Sequence, residues 1–443
     1  MFTHSIGESQ KKTKLDRIGE LAASKKDVVF NNIGHAIDLD LLRECYRQLE
    51  RKKAVGIDGI TKEAYGVKLE DNLQDLLARI RKGAYKPQPS RIVEIPKEDG
   101  STRPLAISCL EDKIIQAAVS AILTLIYEPQ FLPCSYGYRE GVSAHEALRA
   151  LMKHNDRTSN GAIVEIDLRK YFNSIPHSIL MQILQEKISD KRFLKLVETL
   201  IRSPVIEKDK VVINERGCPQ GSMISPILAN IFLHVCIDDW FYKVRKTHMQ
   251  DLAELVRFAD DMVFTFRNQT DAKRFYEVLP KRLEKFGLEM HEGKSSIITS
   301  GKKAAEEAHH RGERLPTYNF LGFTCYWGLS RKGTWRLKFK SRSDRLAAKM
   351  KGLRKHLKDC LHEETHSVLK RVIKIVKGWI NYHAISDNSR RVKSFIHMCR
   401  RTLFWWRNRK GGQRKLSWER FAKLLNVVKF PKSFKVTSMF ATC

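Results

Sequence analysis

Apolar residues recur at helical spacing in some stretches and form short unbroken runs in others, and the alternation sketches the elements of the chain. Leu41, Leu42, Tyr46 and Leu49 predict an amphipathic helix over 39–49, and Leu69, Leu73, Leu76, Leu77 and Ile80 predict another, ending at Gly83. A run rich in Ile, Ala and Leu over 111–127 predicts a helix closed by Pro129. Between these, Arg91–Lys97 and Thr102–Ile107 flank Glu98-Asp99-Gly100-Ser101, a hairpin pattern with Asp-Gly at the turn. Residues 162–168 read as a buried strand ending near Asp167, and a helix begins near Pro176. The stretch 255–266 reads as strand, tight turn, strand, with Asp260 and Asp261 at the tip because Asp favours turns over strand interiors. Ser225, as cap, and Pro226, as first residue, open a long helix, 271–286 is another, and 319–323 begins a further apolar strand. Residues 341–410 read as helices with a dense basic face, and Gly411-Gly412 marks a boundary.

Composition changes this picture in one respect. The 443 residues are 42% hydrophobic, enough to bury a core in two to four domains, and they carry a net charge of +31. That charge is uneven: residues 331–443 hold 31 Lys and Arg against six Asp and Glu. A field of this size favours a polyanion, and the interleaved Trp and Phe residues suit either a helical core or contacts to bases. Nine cysteines are scattered without any Cys-x-x-Cys pair, which disfavours a zinc ribbon or a redox motif and suits a reduced intracellular protein. The longest uncharged runs, 114–127 and 222–237, are shorter than a membrane span, so the expected location is cytoplasmic, with no membrane partner.

The candidate chemistry centres on carboxylates. Two sit at a hairpin tip, Asp260 and Asp261, and Asp167 ends a strand; hard divalent cations take such oxygens, and two metals can stabilise attacking and leaving oxygens in phosphoryl transfer. Arg91, Lys97 and Arg103 lie on or beside one ribbon, where cations can reach phosphate oxygens. Gly217–Ser222 is a tight, backbone-exposing turn, and Ser135–Gly141 is a glycine-punctuated loop. His362-Glu363-Glu364-Thr365-His366 fits a zinc-protease pattern, but no third ligand follows at a familiar spacing and the segment sits within the basic helical region, so it is set aside.

In this order and spacing, eight stretches resemble the reverse transcriptases encoded by group II introns, also called maturases. They are Gly56-Ile57-Asp58-Gly59, Arg103-Pro104-Leu105, Ser135-Tyr136-Gly137-Tyr138-Arg139, Asp167 with Phe172, Pro219-Gln220-Gly221, Phe258-Ala259-Asp260-Asp261, Gly287-Leu288 with Lys294, and Phe320-Leu321-Gly322. The resemblance covers roughly residues 35 to 410. It implies an α+β right-hand polymerase: an extension over 1–34, mainly fingers over 35–160, mainly palm with an antiparallel sheet over 161–330, an all-helical basic thumb or maturase (X) domain over 331–410, and a short basic tail over 411–443. It also implies that Asp167, Asp260 and Asp261 are the catalytic carboxylates, with Asp167, Asp260 and the backbone of Leu168 holding two Mg²⁺ ions, for which Mn²⁺ could substitute. Lys97, Arg103, Phe172 and Gln220 would hold the nucleotide, with Phe172 excluding a ribose 2′-OH, while Arg91 and Lys294 would contact template or primer. Asn173 and Met290-His291 depart from the usual pattern without touching the carboxylates.

The implied activity is RNA-directed DNA synthesis from a primer 3′-OH. The implied partners are an RNA template, a DNA or RNA primer, group II intron RNA and target DNA, with roles in splicing and retrohoming. The sequence carries no cysteine- and histidine-rich nuclease region of the kind some relatives have, so the expectation is a polymerase without an endonuclease domain. A free-standing relative serving repair, phage defence or spacer acquisition, and a chiefly structural RNA-binding splicing factor, are the alternative readings.

Overall fold

Four antiparallel strands form the sheet on which the rest is mounted, in the spatial order Ala253–Phe258, Asp261–Phe266, Gly161–Ile166, Ser296–Ser300. The computed structural model describes residues 13–25, 27–51, 53–96, 102–207, 210–213, 215–410 and 415–440. Side chains alternate across the sheet: Ala162, Val164, Ile166, Phe264 and Phe266 face one core, and Ile163, Val256 and Val263 face another. Helix Gln269–Lys285 covers the first face, with the Phe275 ring centroid 4.6 Å from that of Phe264. Helix Ala144–Asp156 covers the second through Ala147, Leu148 and Leu151. Because both faces are buried, the central strands read as continuous apolar runs instead of polar and apolar residues in alternation.

The expected helices 39–49, 69–80, 111–127 and 271–286 form as Leu39–Gln48, Leu69–Arg81, Leu110–Tyr127 and Gln269–Lys285. The ribbon Ser90–Pro96 and Thr102–Ile107 is antiparallel, and it is extended by Pro204–Glu207 and Lys210–Ile213 into a second four-stranded sheet. The Asp99-Gly100 turn and Lys97 lie outside the described residues.

Several expectations are corrected. Residues 319–323 are not one strand: Leu321 (φ +47°) and Gly322 (φ +79°) make a two-residue turn between Tyr318–Phe320 and Phe323–Leu329. The span expected to be helical from 331 instead contributes a strand, Trp335–Ser341, paired along its whole length with Phe323–Leu329; its alternation places Leu337 and Phe339 in the core. The helices begin only at Ser343, as Ser343–Asp359, Thr365–His383 and Ser389–Lys410. The tail carries a fourth helix, Trp418–Val427, because Phe421 and Leu425 complete the core that Leu346, Met350, Val372, Phe395 and Leu403 begin. The 1–34 extension contains helix Lys14–Ser24, opened by a Thr13/Asp16 capping box and buried through Ile18 and Ala22 against Leu110–Tyr127. Ser225 is the first helical residue and not the cap; its hydroxyl donates to the Pro219 carbonyl at 2.8 Å, tying down the neighbouring turn. His362 precedes its helix, whose first residue is Thr365, so His362 and His366 do not share a helical face.

One buried side chain locks the carboxylate hairpin to this frame. Arg257 is fully buried and donates to Asp238 through Nε (2.7 Å) and Nη2 (2.6 Å), to Asn230 Oδ1 (3.0 Å), to Ser135 Oγ (2.7 Å) and to the Ala259 carbonyl (3.1 Å). Burial pushes the Asp238 carboxyl up, but the guanidinium, with His234 beside it at 3.8 Å, more than offsets this and holds it below the usual carboxylate range. Asn230 and Asp238 come from one continuous run of helix, Ser225–Thr247, whose middle turn, His234–Asp239, is π-helical.

Two stability outcomes follow. Arg257→Met leaves Asp238 a buried, unpaired charge and should cost about 3–5 kcal/mol in urea denaturation, while adding Asp238→Leu should recover most of the loss. An unchanged urea midpoint for the single variant would refute this role. Phe421→Ala should cost about 3–5 kcal/mol if the last helix is core, and a loss within measurement error would make it an appendage.

Candidate active site

The strands Ala253–Phe258 and Asp261–Phe266 are joined by only Ala259 and Asp260, with Phe258 paired to Asp261. So tight a turn puts Ala259 in the left-handed region at φ +55°, and its carbonyl is held by Arg257. The loop carrying Tyr136 and Tyr138 packs directly on this turn. Tyr136 N donates to the Arg257 carbonyl at 2.8 Å, and a Cβ at Gly137 would lie 2.3 Å from Ala259 N, so only glycine permits the approach.

The register brings the third carboxylate alongside. Ile166 pairs with Met262, so one more residue along each strand sets Asp167 opposite Asp261. Asp167 is fixed by its backbone: its N–H donates to Ser295 Oγ (3.1 Å) and its carbonyl accepts from His291 N (2.8 Å). Lys294 Nζ lies 3.4 Å from Asp167 Oδ2. An antiparallel bridge between Leu168 and Met290 runs through the Arg169 N to Glu289 O and His291 N to Asp167 O bonds, which leaves the Leu168 carbonyl directed away from it.

Burial and neighbouring negative charge raise three carboxyls beside Asp167. The Asp260 carboxyl is pushed up by burial and by Asp167, against the opposing charges of Arg103 and Arg257. Asp261 is reached by solvent but crowded by protein; burial, Asp260 and Asp167 raise it to about 6, while Arg345 and Arg342 oppose the shift. Glu165, two residues before Asp167, is raised to about 7 by burial, Asp261 and Asp167. The sequence reading missed Glu165, although a carboxylate inside the apolar run Ala162-Ile163-Val164-Glu165-Ile166 was the available signal.

A wall of rings and backbone stands beside the carboxylates. Tyr138 is raised by burial and by Asp260 and lowered by Arg103, so all three share one field. Its ring meets Phe172 edge-on at 6.4 Å, and Phe172 is only 8% exposed. The Phe172 carbonyl accepts from Cys218 N (2.7 Å) and the Gln220 carbonyl from Ala106 N (2.7 Å), so the Gly217–Ser222 turn bridges Phe172 to the strand that carries Arg103. Gln220 Oε1 is buried without a hydrogen-bond partner among the described residues.

The structure therefore assembles Asp167, Asp260, Asp261, Arg103, Phe172, Gln220 and Lys294. It does not bring Arg91 to them: Arg91 pairs with Ile107, about 13 Å along the ribbon from Arg103, and donates to the Val55 carbonyl at 3.2 Å. Among the described residues no three His, Cys, Asp or Glu side chains are close enough together to hold a metal ion. Two carboxylates and a backbone carbonyl, Asp167, Asp260 and Leu168, are nonetheless hard oxygen donors of the kind Mg²⁺ and Mn²⁺ take, and the penalty that burial and the Asp167 charge place on ionised Asp260 is what a cation there relieves. No described helix is long and apolar enough to cross a membrane, and the eight described cysteines are free and buried.

Residues 95–325 match the family described as reverse transcriptase (RNA-dependent DNA polymerase). Protein YkfC of Escherichia coli strain K12 is 36% identical over 182 residues, covering 40% of this chain and 48% of that protein. The group II intron-encoded protein LtrA of Lactococcus lactis subsp. cremoris is 32% identical over 224 residues, covering 50% of this chain and 37% of LtrA. The putative COX1/OXI3 intron 1 protein of Saccharomyces cerevisiae is 25% identical over 426 residues, covering 81% of this chain and 50% of the yeast protein. The chain thus spans half or less of these relatives. With more than half of its residues inside the family match, the chain belongs to the reverse transcriptase (RNA-dependent DNA polymerase) family, and proteins named as intron-encoded are among its relatives.

Proposed function

We propose that the protein is an RNA-directed DNA polymerase that extends a primer 3′-OH with deoxynucleoside triphosphates on an RNA template. The reading rests above all on one observation: Asp167 and the Asp260-Asp261 turn meet at the ends of paired strands, where burial and the Asp167 charge raise Asp260 and Asp261. Asp167, Asp260 and the Leu168 carbonyl would hold two Mg²⁺, or Mn²⁺ in their place, and Asp261 stands beside them. The ions supply Lewis-acid stabilisation of the attacking and leaving oxygens.

Everything else in the reaction is positioning by the chain. Arg103, whose charge already acts on Asp260, is placed to neutralise an incoming triphosphate, and Lys97 is assigned the same role. The Phe172 ring, braced by Tyr138, bounds the space for the sugar and excludes a 2′-OH. The orphaned Gln220 amide oxygen is an acceptor for the bound nucleotide. Arg91 is assigned to the template strand and Lys294 to the primer side. In this reading residues 35–160 are mainly fingers, 161–330 mainly palm, and the helices from Ser343 a thumb whose Arg345-bearing side grips an A-form heteroduplex through its phosphates and 2′-OH groups. Binding of intron RNA, with a part in splicing and retrohoming, extends the same proposal and is supported by LtrA among the relatives.

Two measurements test it. In Mg²⁺-dependent primer extension on poly(A)/oligo(dT), Asp260→Asn should lose at least about a hundredfold in rate, the scale of several kcal/mol of charge stabilisation. Its thermal midpoint should hold or rise, since a repelling carboxylate is removed; equal cDNA yields from parent and variant would sink the assignment. Phe172→Val should raise ribonucleotide incorporation about tenfold relative to deoxynucleotides, and unchanged discrimination would remove Phe172 from that role.

A further inference from the structure

The helical bundle carries a second groove, away from the carboxylates. It lies between helices Ser343–Asp359 and Ser389–Lys410, has a volume of about 500 Å³, and is lined by Arg354, Lys358, Arg401, Trp405, Trp406 and Arg409 among others. No lining residue is acidic, and among the described residues none of the four cations is paired with a carboxylate. Trp405 is 60% exposed while its neighbour Trp406 is 4% exposed, so one indole is packed and the other is presented to solvent.

The direction this groove faces follows from helical geometry. Arg354, Leu357 and Lys358 line it at i, i+3 and i+4 of helix Ser343–Asp359, with Leu361 at i+7 just beyond the helix end. Arg345, Ala348, Lys349 and Gly352 of the same helix repeat that spacing nine residues earlier and line a different groove, with Tyr382. At about 100° per residue, nine residues turn the stripe by about 180°. Arg345 and Tyr382 both interact with Asp261, so their stripe faces the carboxylate cleft and the Trp405 stripe faces away from it.

We propose that the Trp405 groove binds a single-stranded segment of RNA while the carboxylate cleft holds primer and template. One unstacked base lies on the Trp405 indole, and the phosphates on either side are held by Arg354, Lys358, Arg401 and Arg409. Unneutralised cations beside an exposed indole suit a nucleotide strand: the ring takes any base face, and the cations track the backbone. A duplex does not fit this chemistry, because its bases are already stacked on each other. The volume falls in the range that encloses one ligand-sized group. The identity of the polymer as RNA rests on the polymerase reading above; the groove itself does not use the carboxylates.

The test uses the full chain saturated with an RNA/DNA primer–template duplex, to which fluorescein-labelled oligo(U) is added and its anisotropy followed. Oligo(U) should bind with the cleft filled. Trp405→Ala should weaken that binding about tenfold, and Trp405→Phe should restore most of it. Arg354→Gln with Arg401→Gln should weaken it and lower its salt dependence. All of these variants should extend a pre-annealed primer at the parental rate. Displacement of oligo(U) by the duplex, or parental affinity in Trp405→Ala, overturns the proposal. So does a fall in sedimentation coefficient of the free protein on Trp405→Ala, which would mean that a second copy of the chain covers the indole. Asp260→Asn separates the two readings: it should abolish extension and leave oligo(U) affinity intact, so failure of extension in the parent strikes only the polymerase reading.

Discussion

The fully buried ion pair between Arg257 and Asp238 is the contact on which the site depends. Desolvating two charges is expensive, and such a pair adds little net stability over a well-packed apolar substitute. What it supplies here is position. The guanidinium has five N–H donors in a rigid fork, and it makes five hydrogen bonds to acceptors from three separate parts of the chain. The Ala259 carbonyl is one of them, so the left-handed turn that aims Asp260 and Asp261 is held by a group that cannot shift without leaving a buried charge unpaired. Asn230 extends the same network to the Tyr136–Tyr138 loop by donating to the Gly137 carbonyl at 2.6 Å.

Around that fixed turn, acids and bases are balanced by contributions from distant segments. Asp167, Asp260, Asp261 and Glu165 are brought together by strand register, and the Asp167 charge adds to burial in making the other three harder to ionise. The opposing cations come from elsewhere: Arg103 from the outer ribbon, Lys294 from the turn before Ser296–Ser300, and Arg342 and Arg345 from the start of the helical bundle. A site whose carboxylates remain partly frustrated by one another has free energy to gain from a divalent cation, whereas one already neutralised by arginines does not.

The part of this that could be read from sequence was the part with local signals. Asp260-Asp261 between apolar runs marked a hairpin tip, the 162–168 run marked a buried strand ending near Asp167, and periodicity found the helices over 39–49, 69–80, 111–127 and 271–286. What was hidden depended on contacts far apart in the chain. Arg257 looks like any basic residue flanking a strand, since nothing nearby reveals Asp238 as its partner nineteen positions away. Leu321-Gly322 lacks the Asn or Asp that usually marks a left-handed turn, so the hairpin there read as one strand. Trp335–Ser341 carries Arg336, Lys338 and Lys340 on its outward positions, and those charges made it look continuous with the basic helices that follow. The helix Trp418–Val427 was masked by its basic flanks, though Phe421 and Leu425 keep helical spacing.

That misread strand matters because it is the joint between sheet and bundle. Ser341 ends the strand, and Arg342 leads directly into helix Ser343–Asp359, so the first turn of the bundle inherits the strand's position. Asn388, fully buried, fastens the joint: its Oδ1 accepts from Ser341 N (2.8 Å), and its amide donates to Ser341 Oγ (2.7 Å) and the His383 carbonyl (2.7 Å). Tyr382 reaches across to the Leu321 carbonyl at 2.9 Å, while Ile385 and Met439 bury in the core under the sheet. A bundle fastened to a strand end by a buried amide with three hydrogen bonds, and held again through Tyr382 and Ile385, cannot rotate freely about its own axis. The helix whose two faces carry opposite basic stripes is therefore held in one orientation: one stripe stays turned to the carboxylates, and the other stays turned outward.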